Sequence, residues 1–464
     1  MVGRQASSAA MLVAAAAGFV VAGFPAHARA QTATQPGALA RPSTTTRPVM
    51  AGPPDFAAQQ AVQAQQAVQQ QNSDFEPVQQ QGVAIPERPA SRLRNIGVGL
   101  SANAIYDTNA SRSNSLRARS SGLSRSDIRF PLALNLDIFL PVGPNAFTLS
   151  GNVGYDYNVR NTQRNRENIG LQAGYQRSFH ACSTSLGGRY QRAATQLGNT
   201  SQIILPVNNI ETRTGISGSL NCGSVGGVRP FVSASYSNGR NSDPRRKISD
   251  YNTTSYGGGL SIGQRTFLEF GLVGSIDDTK YPNRVGVLTF RSSEFKAKSI
   301  GVYFSRAAAR HLQARVQLNY TSVENTGPGK SFSGLSGQGN VTFVPGGRFS
   351  FNASFARAAV PSLSTNADYH VSTDAGLSVA AEISPLTGVR VGFQNRHRKY
   401  FASVFDPVHP LTNDTLRTID GSIRHQLNAR MNLHASITRE SRRANDPFFN
   451  FSGMRFAIGA SLSL

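Results

Sequence analysis

The sequence has no tryptophan, few charged residues and, beyond its N-terminus, no long apolar run. Charged residues make up 16% of the chain, too few for a protein that is disordered throughout. The mean hydropathy is −0.28, and no later segment approaches the roughly 18 consecutive apolar residues of a spanning helix, which excludes a bundle of membrane helices. If the chain crosses a membrane, strands must cross it.

The charge balance indicates anionic partners. The chain has 47 Lys and Arg against 25 Asp and Glu, a formal charge of +22, which favours nucleic acid, lipid head groups or an acidic polymer. Residues 1–30 follow the signal-peptide pattern, with Arg4, an apolar stretch over 9–23, and Ala28 and Ala30 at the end. We predict cleavage after Ala30, with an uncleaved apolar anchor as the alternative. Because the mature chain is then exported, we expect no nucleic acid as a partner.

Residues 31–93 are rich in Pro, Ala, Gln and Thr and poor in aromatic residues. Such a segment buries too little apolar area to offset its ordering entropy, so we predict a disordered or transiently helical periplasmic segment. A stripe of Ala61, Val62, Ala67 and Val68 fits a short helix that docks a partner. A passive linker is the simpler interpretation.

From Asn95 onward, apolar residues alternate with small or polar residues, segment after segment. Successive side chains of a strand point to opposite faces, so this pattern predicts strands with one apolar side. It is clearest in residues 96–107, 128–140, 312–321 and 431–440. A soluble β-sandwich or propeller shows the same alternation, so other features must decide the class.

Three features favour an outer-membrane barrel. Many segments reach about ten residues or more, whereas soluble strands average about five to six and tilted membrane strands need about 9 to 11. Tight connections such as 141–145 and 384–388 alternate with long ones such as 108–125. The last segment, 454–464, resembles the C-terminal insertion signal of outer-membrane barrels, although it ends on Leu464 where Phe is the commoner residue.

We therefore predict an all-β protein, a transmembrane antiparallel β-barrel over residues 94–464, in contact with outer-membrane lipid. Counting segments gives about 18 strands, an even number as single-chain bacterial barrels require. A count of 16 also fits, because 212–221 and 294–306 are weakly patterned. At this size the interior accommodates an aqueous channel.

Cys182 and Cys222 are the only cysteines. The strand pattern puts Cys182 at the start of one strand and Cys222 at the end of the next, at their shared periplasmic ends. Antiparallel neighbours bring such residues within bonding distance, and an exported protein can keep a disulfide. We predict this disulfide, with two unpaired thiols as the alternative.

Arginine dominates the predicted inward faces. We expect a lining, facing the bore or its mouth, of Arg129, Arg160, Arg189, Arg315, Arg390, Arg396, Arg398, Arg424 and Arg442. A guanidinium binds carboxylates through two hydrogen bonds, so an excess of arginine would guide an anionic solute or polymer. For each individual arginine, the alternative is a structural network with Asp and Glu that stiffens a wide pore.

The search for catalytic and metal-binding patterns finds none. The sequence has no nucleophile elbow, no phosphate-binding glycine loop and no His or Cys spacing suited to zinc. Ser422, His425, His434 and Ser436 lie among the late strands, but polar residues line every such barrel. We predict no enzyme activity, no cofactor and no metal.

The first predicted strand ends in the sequence YDTN at residues 106–109, followed by a polar loop with Ser113 and Asn114 and a second strand rich in alternating Leu. Over residues 94–464 the chain resembles the β-barrel porin family that is associated with surface-polysaccharide synthesis in Gram-negative bacteria. The resemblance implies export of an exopolysaccharide, or an accessory role beside periplasmic export components. It supplies no binding residues.

The leading hypothesis is a barrel that passes, or helps to export, an anionic exopolysaccharide along an arginine-lined bore. The first alternative is a general or anion-preferring diffusion porin for small anions. The second is a structural barrel that anchors a periplasmic partner through the Gln-rich segment.

Overall fold

The computed structural model describes residues 95–464, apart from 180, 195–207, 224–226, 265–267, 285–292, 307–310, 326–330, 346–347, 363–366 and 402–410. The predicted signal peptide and the predicted disordered segment lie outside these residues. The described chain forms a single 18-stranded sheet. Its strands are β1 (Asn95–Asp107), β2 (Asp127–Val142), β3 (Asn145–Asn158), β4 (Arg166–Phe179), β5 (Cys182–Ala194), β6 (Ile210–Cys222), β7 (Arg229–Asn241), β8 (Tyr251–Gln264), β9 (Leu268–Lys280), β10 (Glu294–Arg306), β11 (Leu312–Asn325), β12 (Phe332–Phe343), β13 (Phe349–Pro361), β14 (Tyr369–Ser384), β15 (Thr387–Phe401), β16 (Asn413–Gln426), β17 (Met431–Ala444) and β18 (Phe451–Ser463).

The sheet closes on itself as an antiparallel barrel. Each strand pairs with its neighbours in sequence, and β1 also pairs with β18. In that closing pair Leu100 lies opposite Leu462 and Tyr106 lies opposite Phe456. The predicted fold class and the count of 18 strands are therefore confirmed. Closure gives every strand a paired neighbour on both sides, which is how a sheet satisfies its backbone groups in lipid.

Alternation sets the two faces of the wall. On the outward face, large apolar side chains such as Leu134, Val153, Leu318 and Ile437 are exposed. The strands are between 12 residues (β12) and 16 residues (β2 and β14) long, longer than the soluble average of about five to six. The outward side chains therefore form an apolar belt of the kind that faces lipid tails.

The two weakly patterned segments are β6 and β10. Their outward positions near one end carry Thr212 and Thr214 in β6 and Lys296 and Lys298 in β10, rather than apolar residues. Ile216 and Ile300 continue the apolar belt lower on the same strands. The pattern is weak because these strands extend beyond the belt.

The two ends of the barrel differ. At one end, which holds both Asn95 and Ser463, most connections are short, as in the turn at Gly143 and Pro144 between β2 and β3. We call this the short-turn end. At the other, the long-loop end, the connections include a helix α1 (Ser115–Ser120) and 3₁₀ helices at Thr162–Arg164, Pro244–Ser249, Pro282–Arg284 and Pro447–Phe449. Among the described residues, no helix is long and apolar enough to cross a membrane.

Candidate channel lining and mouth

Strand alternation places eight of the nine predicted lining arginines on inward faces. Each of these alternates with the residues that continue the outward face of its strand, as Arg315 does beside the exposed Val316. The eight are Arg129, Arg189, Arg315, Arg390, Arg396, Arg398, Arg424 and Arg442. Arg160 lies instead in the loop after β3, where its Nη1 donates to the Ser126 hydroxyl over 2.6 Å. Contact of these residues with a solute stays a prediction.

Four of the inward arginines form ion pairs across neighbouring strands. Arg129 lies 3.7 Å from Asp156, and Arg396 donates through Nε to Asp374. Arg398 and Arg442 both contact one carboxylate, that of Asp414. These four arginines therefore contact Asp residues of the wall. This is the structural network that the sequence analysis gave as the alternative to a solute-binding role.

Asp414 is the centre of the most buried of these networks. Arg398 donates to both of its carboxylate oxygens, through Nε over 2.8 Å and Nη2 over 2.7 Å. The Nε of Arg442 donates over 2.7 Å, and the Tyr400 hydroxyl over 3.2 Å. The Asp414 and Arg442 side chains are both 0% exposed. Sequence reasoning missed Asp414, although its position on the inward face of β16 follows from the alternation.

Arg390 and Arg424 differ from the buried group. They lie on adjacent strands near the short-turn end, since Arg390 is opposite Ser422 and Arg424 is opposite Gly388. Both side chains are exposed on the inward face, and neither has a carboxylate within ion-pair distance among the described residues. Two carboxylates lie on the same wall: Glu382, exposed and opposite Gly388, and Asp420, half-buried and opposite Gly392. The arginine pair therefore presents guanidinium groups to the bore.

Bulky inward side chains on the opposite wall lie flat. Tyr303 packs over Gly271, where a Cβ atom would come within 2.1 Å of the tyrosine ring. The Tyr303 hydroxyl donates to Glu269 over 2.9 Å, and Arg229 pairs with the same carboxylate at 2.9 Å. Phe231 meets the Tyr303 ring edge-on with centroids 6.4 Å apart. These contacts hold large groups along the wall rather than across the bore.

The YDTN sequence at residues 106–109 anchors the first long loop. Asp107 accepts from the backbone N–H of Asn109 over 2.9 Å and pairs with Arg112 at 2.9 Å. Asn109 donates to the Ser452 carbonyl over 2.9 Å, and Arg112 also pairs with Glu440 at 3.1 Å. The sequence motif therefore ties the β1–β2 loop to the two strands that complete the barrel.

The β1–β2 loop continues into α1, which contacts the β17–β18 loop. Arg117 of α1 is fully buried, and its guanidinium lies 5.6 Å from the ring centre of Phe448 and 5.1 Å from that of Phe449. Burial, with the charge of Arg442 adding to it, lowers the pKa of Arg117 to about 9. The group remains a cation at neutral pH, stabilised by the two aromatic faces.

At the long-loop end, β13 and β14 bend into the barrel. β12 and β13 pair only through residues 337–343 and 351–357, so their long-loop ends separate. Ala359 and Val371 continue the strand face that carries the exposed Phe355 and Leu377 lower down, yet they are only 8% and 7% exposed. They pack in one cluster with Phe295, Ala297 and Val323, which lie on the inward faces of β10 and β11. We call residues 358–362 and 369–373 the inward hairpin.

The inward hairpin is fastened on both sides. The Tyr281 hydroxyl and Arg284 Nη2, from the β9–β10 loop, donate to the Ser362 carbonyl over 3.2 and 2.9 Å. On the other side, the ring of Tyr369 stacks on Phe401 with centroids 4.8 Å apart. Since β10, β11 and β12 separate the β9–β10 loop from β13 along the wall, the contact at Ser362 spans part of the mouth.

The two cysteines are joined by a disulfide. Cys182 begins β5, Cys222 ends β6, and they lie directly opposite each other at the short-turn end with an S–S distance of 2.07 Å. The strand positions are those that the sequence pattern predicted. Among the described residues, no group of His, Cys, Asp or Glu is arranged to hold a metal ion.

Comparison with known proteins finds only distant similarity. No family model matches the chain, and no curated protein matches it. Among solved structures, OccK2 (OpdF) of Pseudomonas aeruginosa is 11% identical with a TM-score of 0.45, over 80% of this chain and 98% of that one. OccAB3 of Acinetobacter baumannii is 9% identical with a TM-score of 0.43, over 80% and 100%. The siderophore receptor PirA of Pseudomonas aeruginosa is 13% identical with a TM-score of 0.37, over 81% of each chain. Values this low do not assign a family, so the function is argued from the chain's own residues.

Proposed function

We propose that this chain is an outer-membrane channel that passes small anionic solutes. The apolar belt on the outside supports a position in lipid, because such a band faces hydrocarbon in outer-membrane barrels. An 18-stranded barrel is wide enough to enclose water. The short-turn end, which holds both ends of the sheet, is then the periplasmic side, and the long-loop end is the outer face.

The observation that carries the anion preference is the pair Arg390 and Arg424. Most other inward arginines are engaged by carboxylates, whereas these two are exposed on adjacent strands without an ion pair among the described residues. A local positive potential in a narrow, low-dielectric passage raises the concentration of anions and excludes cations. The carboxylates on this wall, the exposed Glu382 and the half-buried Asp420, offset part of that potential.

The inward hairpin favours small solutes over a polymer. It packs on the inner wall and reaches the β9–β10 loop at Ser362, so it takes up part of the mouth that a folded polysaccharide chain would have to pass. Export of an anionic exopolysaccharide, beside periplasmic export components, is the second candidate. The arginines on the inward face also support this second candidate. Passage of a polymer, however, requires the inward hairpin to move away from the mouth.

Ion selectivity tests the proposal. We expect the purified full chain to form open channels in planar bilayers, with a reversal potential in a KCl gradient that shows preference for chloride. The double variant Arg390→Gln/Arg424→Gln should lower the chloride-to-potassium permeability ratio by about two- to threefold, because the exposed charge is removed.

The matched control is Arg177→Gln/Arg348→Gln, which removes the same charge from exposed positions at the outside and rim of the barrel. It should leave the ratio unchanged. A cation-selective channel, or equal effects of both variants, would contradict the proposal. Exclusion of polyethylene glycols of increasing size separates the candidates, since a passage for polysaccharide must admit large polymers.

A further inference from the structure

We propose that the outer surface of β15–β18 binds an anionic lipid with phosphate in its head group. This inference rests on the proposed membrane location but concerns the outside of the wall, not the bore. Two features carry it: a cluster of exposed cations at the long-loop end, and an apolar groove directly below.

The cations lie on the outward faces of three adjacent strands. They are Lys399 on β15, Arg417 on β16, and Arg439 and Arg443 on β17, all with exposed side chains. Register brings them together, because Arg417 is opposite Ser441, which lies between Arg439 and Arg443 in sequence. We call these four residues the basic patch.

Within the described strands β15–β18, no acid lies on the outward face that carries the basic patch. The sequences of β15 and β18 contain no Asp or Glu, and the acids of β16 and β17 are at even positions, which face inward. Arg439 and Arg443 have no hydrogen bond or ion pair among the described residues. Arg417 contacts only a neutral group there, the side-chain oxygen of Asn395 at 3.3 Å.

Other outward cations at the long-loop end differ in this respect. Lys298 pairs with Glu324 at 2.5 Å, and Arg192 pairs with Glu167 at 2.7 Å. Arg240, in contrast, contacts only neutral groups, among them the Asn252 side chain over 2.8 Å, so a lone unmatched cation is not peculiar to the basic patch. The patch is set apart by the four cations that it gathers on three adjacent strands, which suits an anionic partner.

The groove begins where the patch ends. It is a cavity of about 770 Å³ on the outside of the wall, and its lining is almost wholly apolar. The floor of the groove consists of small residues, namely Ala104, Gly421 and Ala435. Ile437, two residues below Arg439 on the same face, and Phe456 form its sides. The groove thus runs along the belt toward the patch.

An amphiphile matches this combination better than a protein does. An acyl chain fits an apolar groove in the belt, and phosphate oxygens accept paired hydrogen bonds from guanidinium groups. A second copy of this chain would place the same positive patch against itself in a two-fold contact, which opposes association. Phosphate-bearing lipid of the outer leaflet is therefore the occupant to which the proposal commits.

Lipid binding to the full chain in detergent tests the inference. The probe is an acylated glucosamine disaccharide that carries two phosphates, compared with its dephosphorylated form by native mass spectrometry. We expect the phosphorylated probe to bind at least tenfold more tightly, and Arg439→Gln/Arg443→Gln to abolish this preference. Arg177→Gln/Arg348→Gln, which removes equal charge from other exposed positions, should preserve it. Excess inorganic phosphate should not compete, since it lacks the acyl chain.

A second variant tests the groove. Ala435→Phe fills the floor without changing charge, and it should weaken binding of both probe forms. Equal affinity for the two forms, loss of preference in the control variant, or an unaffected Ala435→Phe would each overturn the proposal. Because all these residues face away from the bore, channel conductance should persist in every variant. Absence of conductance in the parent would instead contradict the proposed function.

Discussion

Asp414 accepts hydrogen bonds from three polar side chains at a fully buried site. Two guanidinium groups and the Tyr400 hydroxyl donate to its carboxylate, and the surrounding rings include Phe449, 5.6 Å from the Arg442 guanidinium. In such a site each remaining charge depends on its partner, because water cannot replace it. This one residue therefore secures β15, β16 and β17 to one another near the mouth.

We expect Asp414→Asn to lower the free energy of unfolding by about 3–5 kcal/mol, because it leaves two buried cations without a counter-charge. Urea unfolding in detergent micelles, followed by tryptic accessibility or circular dichroism, measures this. Glu167→Gln is the control, since it breaks the half-exposed pair with Arg192 and should cost less than about 1 kcal/mol. Similar losses in both variants would contradict the importance of burial.

Sequence alone predicted which way Arg398 and Arg442 point, but not what they contact. Period-two alternation fixes the face of a strand residue, whatever the register. Pairing depends on register and on the loops above, and Asp414 is separated from Arg398 by the β15–β16 connection. The same limit applied to Arg390 and Arg424, since their own spacing does not show whether the neighbouring Glu382 and Asp420 come within ion-pair distance.

The sequence predicted the two strands that form the inward hairpin, but it did not predict that they bend into the barrel. β14 alternates regularly up to its long-loop end, whereas β13 loses the alternation over residues 358–361, which are Ala, Ala, Val and Pro. That loss marks the end of the regular pattern but not the direction of the bend. The change lies in pairing: Gly337 is the last β12 residue opposite β13, and a Cβ there would come within 2.4 Å of the Gln317 carbonyl oxygen. Only glycine permits that close approach of β12 to β11 where β13 departs.

Release of the hairpin should widen the channel. Tyr281→Phe/Arg284→Gln removes the hydroxyl and the guanidinium that donate to the Ser362 carbonyl, at a cost of about 1–3 kcal/mol. We expect higher single-channel conductance and a larger polymer exclusion limit. Tyr320→Phe/Arg357→Gln makes the same chemical changes on exposed outward positions and should behave as the parent. Unchanged conductance in the first variant would show that the hairpin does not limit passage.

The hydrogen bond from the Tyr281 hydroxyl to the Ser362 carbonyl should be insensitive to pH over the physiological range. Burial raises the pKa of Tyr281 to about 12, so its hydroxyl keeps the proton that it donates to Ser362 at any lower pH. A phenol with a raised pKa loses this hydrogen bond only as the pH rises through that value. Conductance that changed between pH 6 and 8 would therefore need another group as its cause.

At the scale of the whole molecule, the sequence predicted the class of fold well. Strand length and the alternation of short and long connections each reflect a constraint of the closed barrel, so they agreed on its size. The last segment, 454–464, lies mostly in β18 and pairs with β1, the place that closure requires. The mouth was unpredictable because loop packing depends on contacts between residues far apart in sequence.

The predicted domain boundary remains to be tested. We expect residues 94–464 to fold into lipid or detergent without residues 1–93, because the described ring is closed by its own strands. Refolding of the truncated chain, followed by the shift in electrophoretic mobility on heating, is the measurement. A truncated chain that fails to refold, while the longer mature chain succeeds, would assign residues 31–93 to the barrel's assembly.

Pairing of the first strand with the last has a consequence for biogenesis. Because β18 is the last strand to be synthesised, a nascent chain that stops before Phe451 would have two unpaired edge strands that cannot pair with each other in the native register. Exposed strand edges pair with other chains, so we expect such fragments to aggregate or be degraded rather than persist as smaller pores. A barrel of this topology therefore closes only after synthesis has reached the last of its 18 strands.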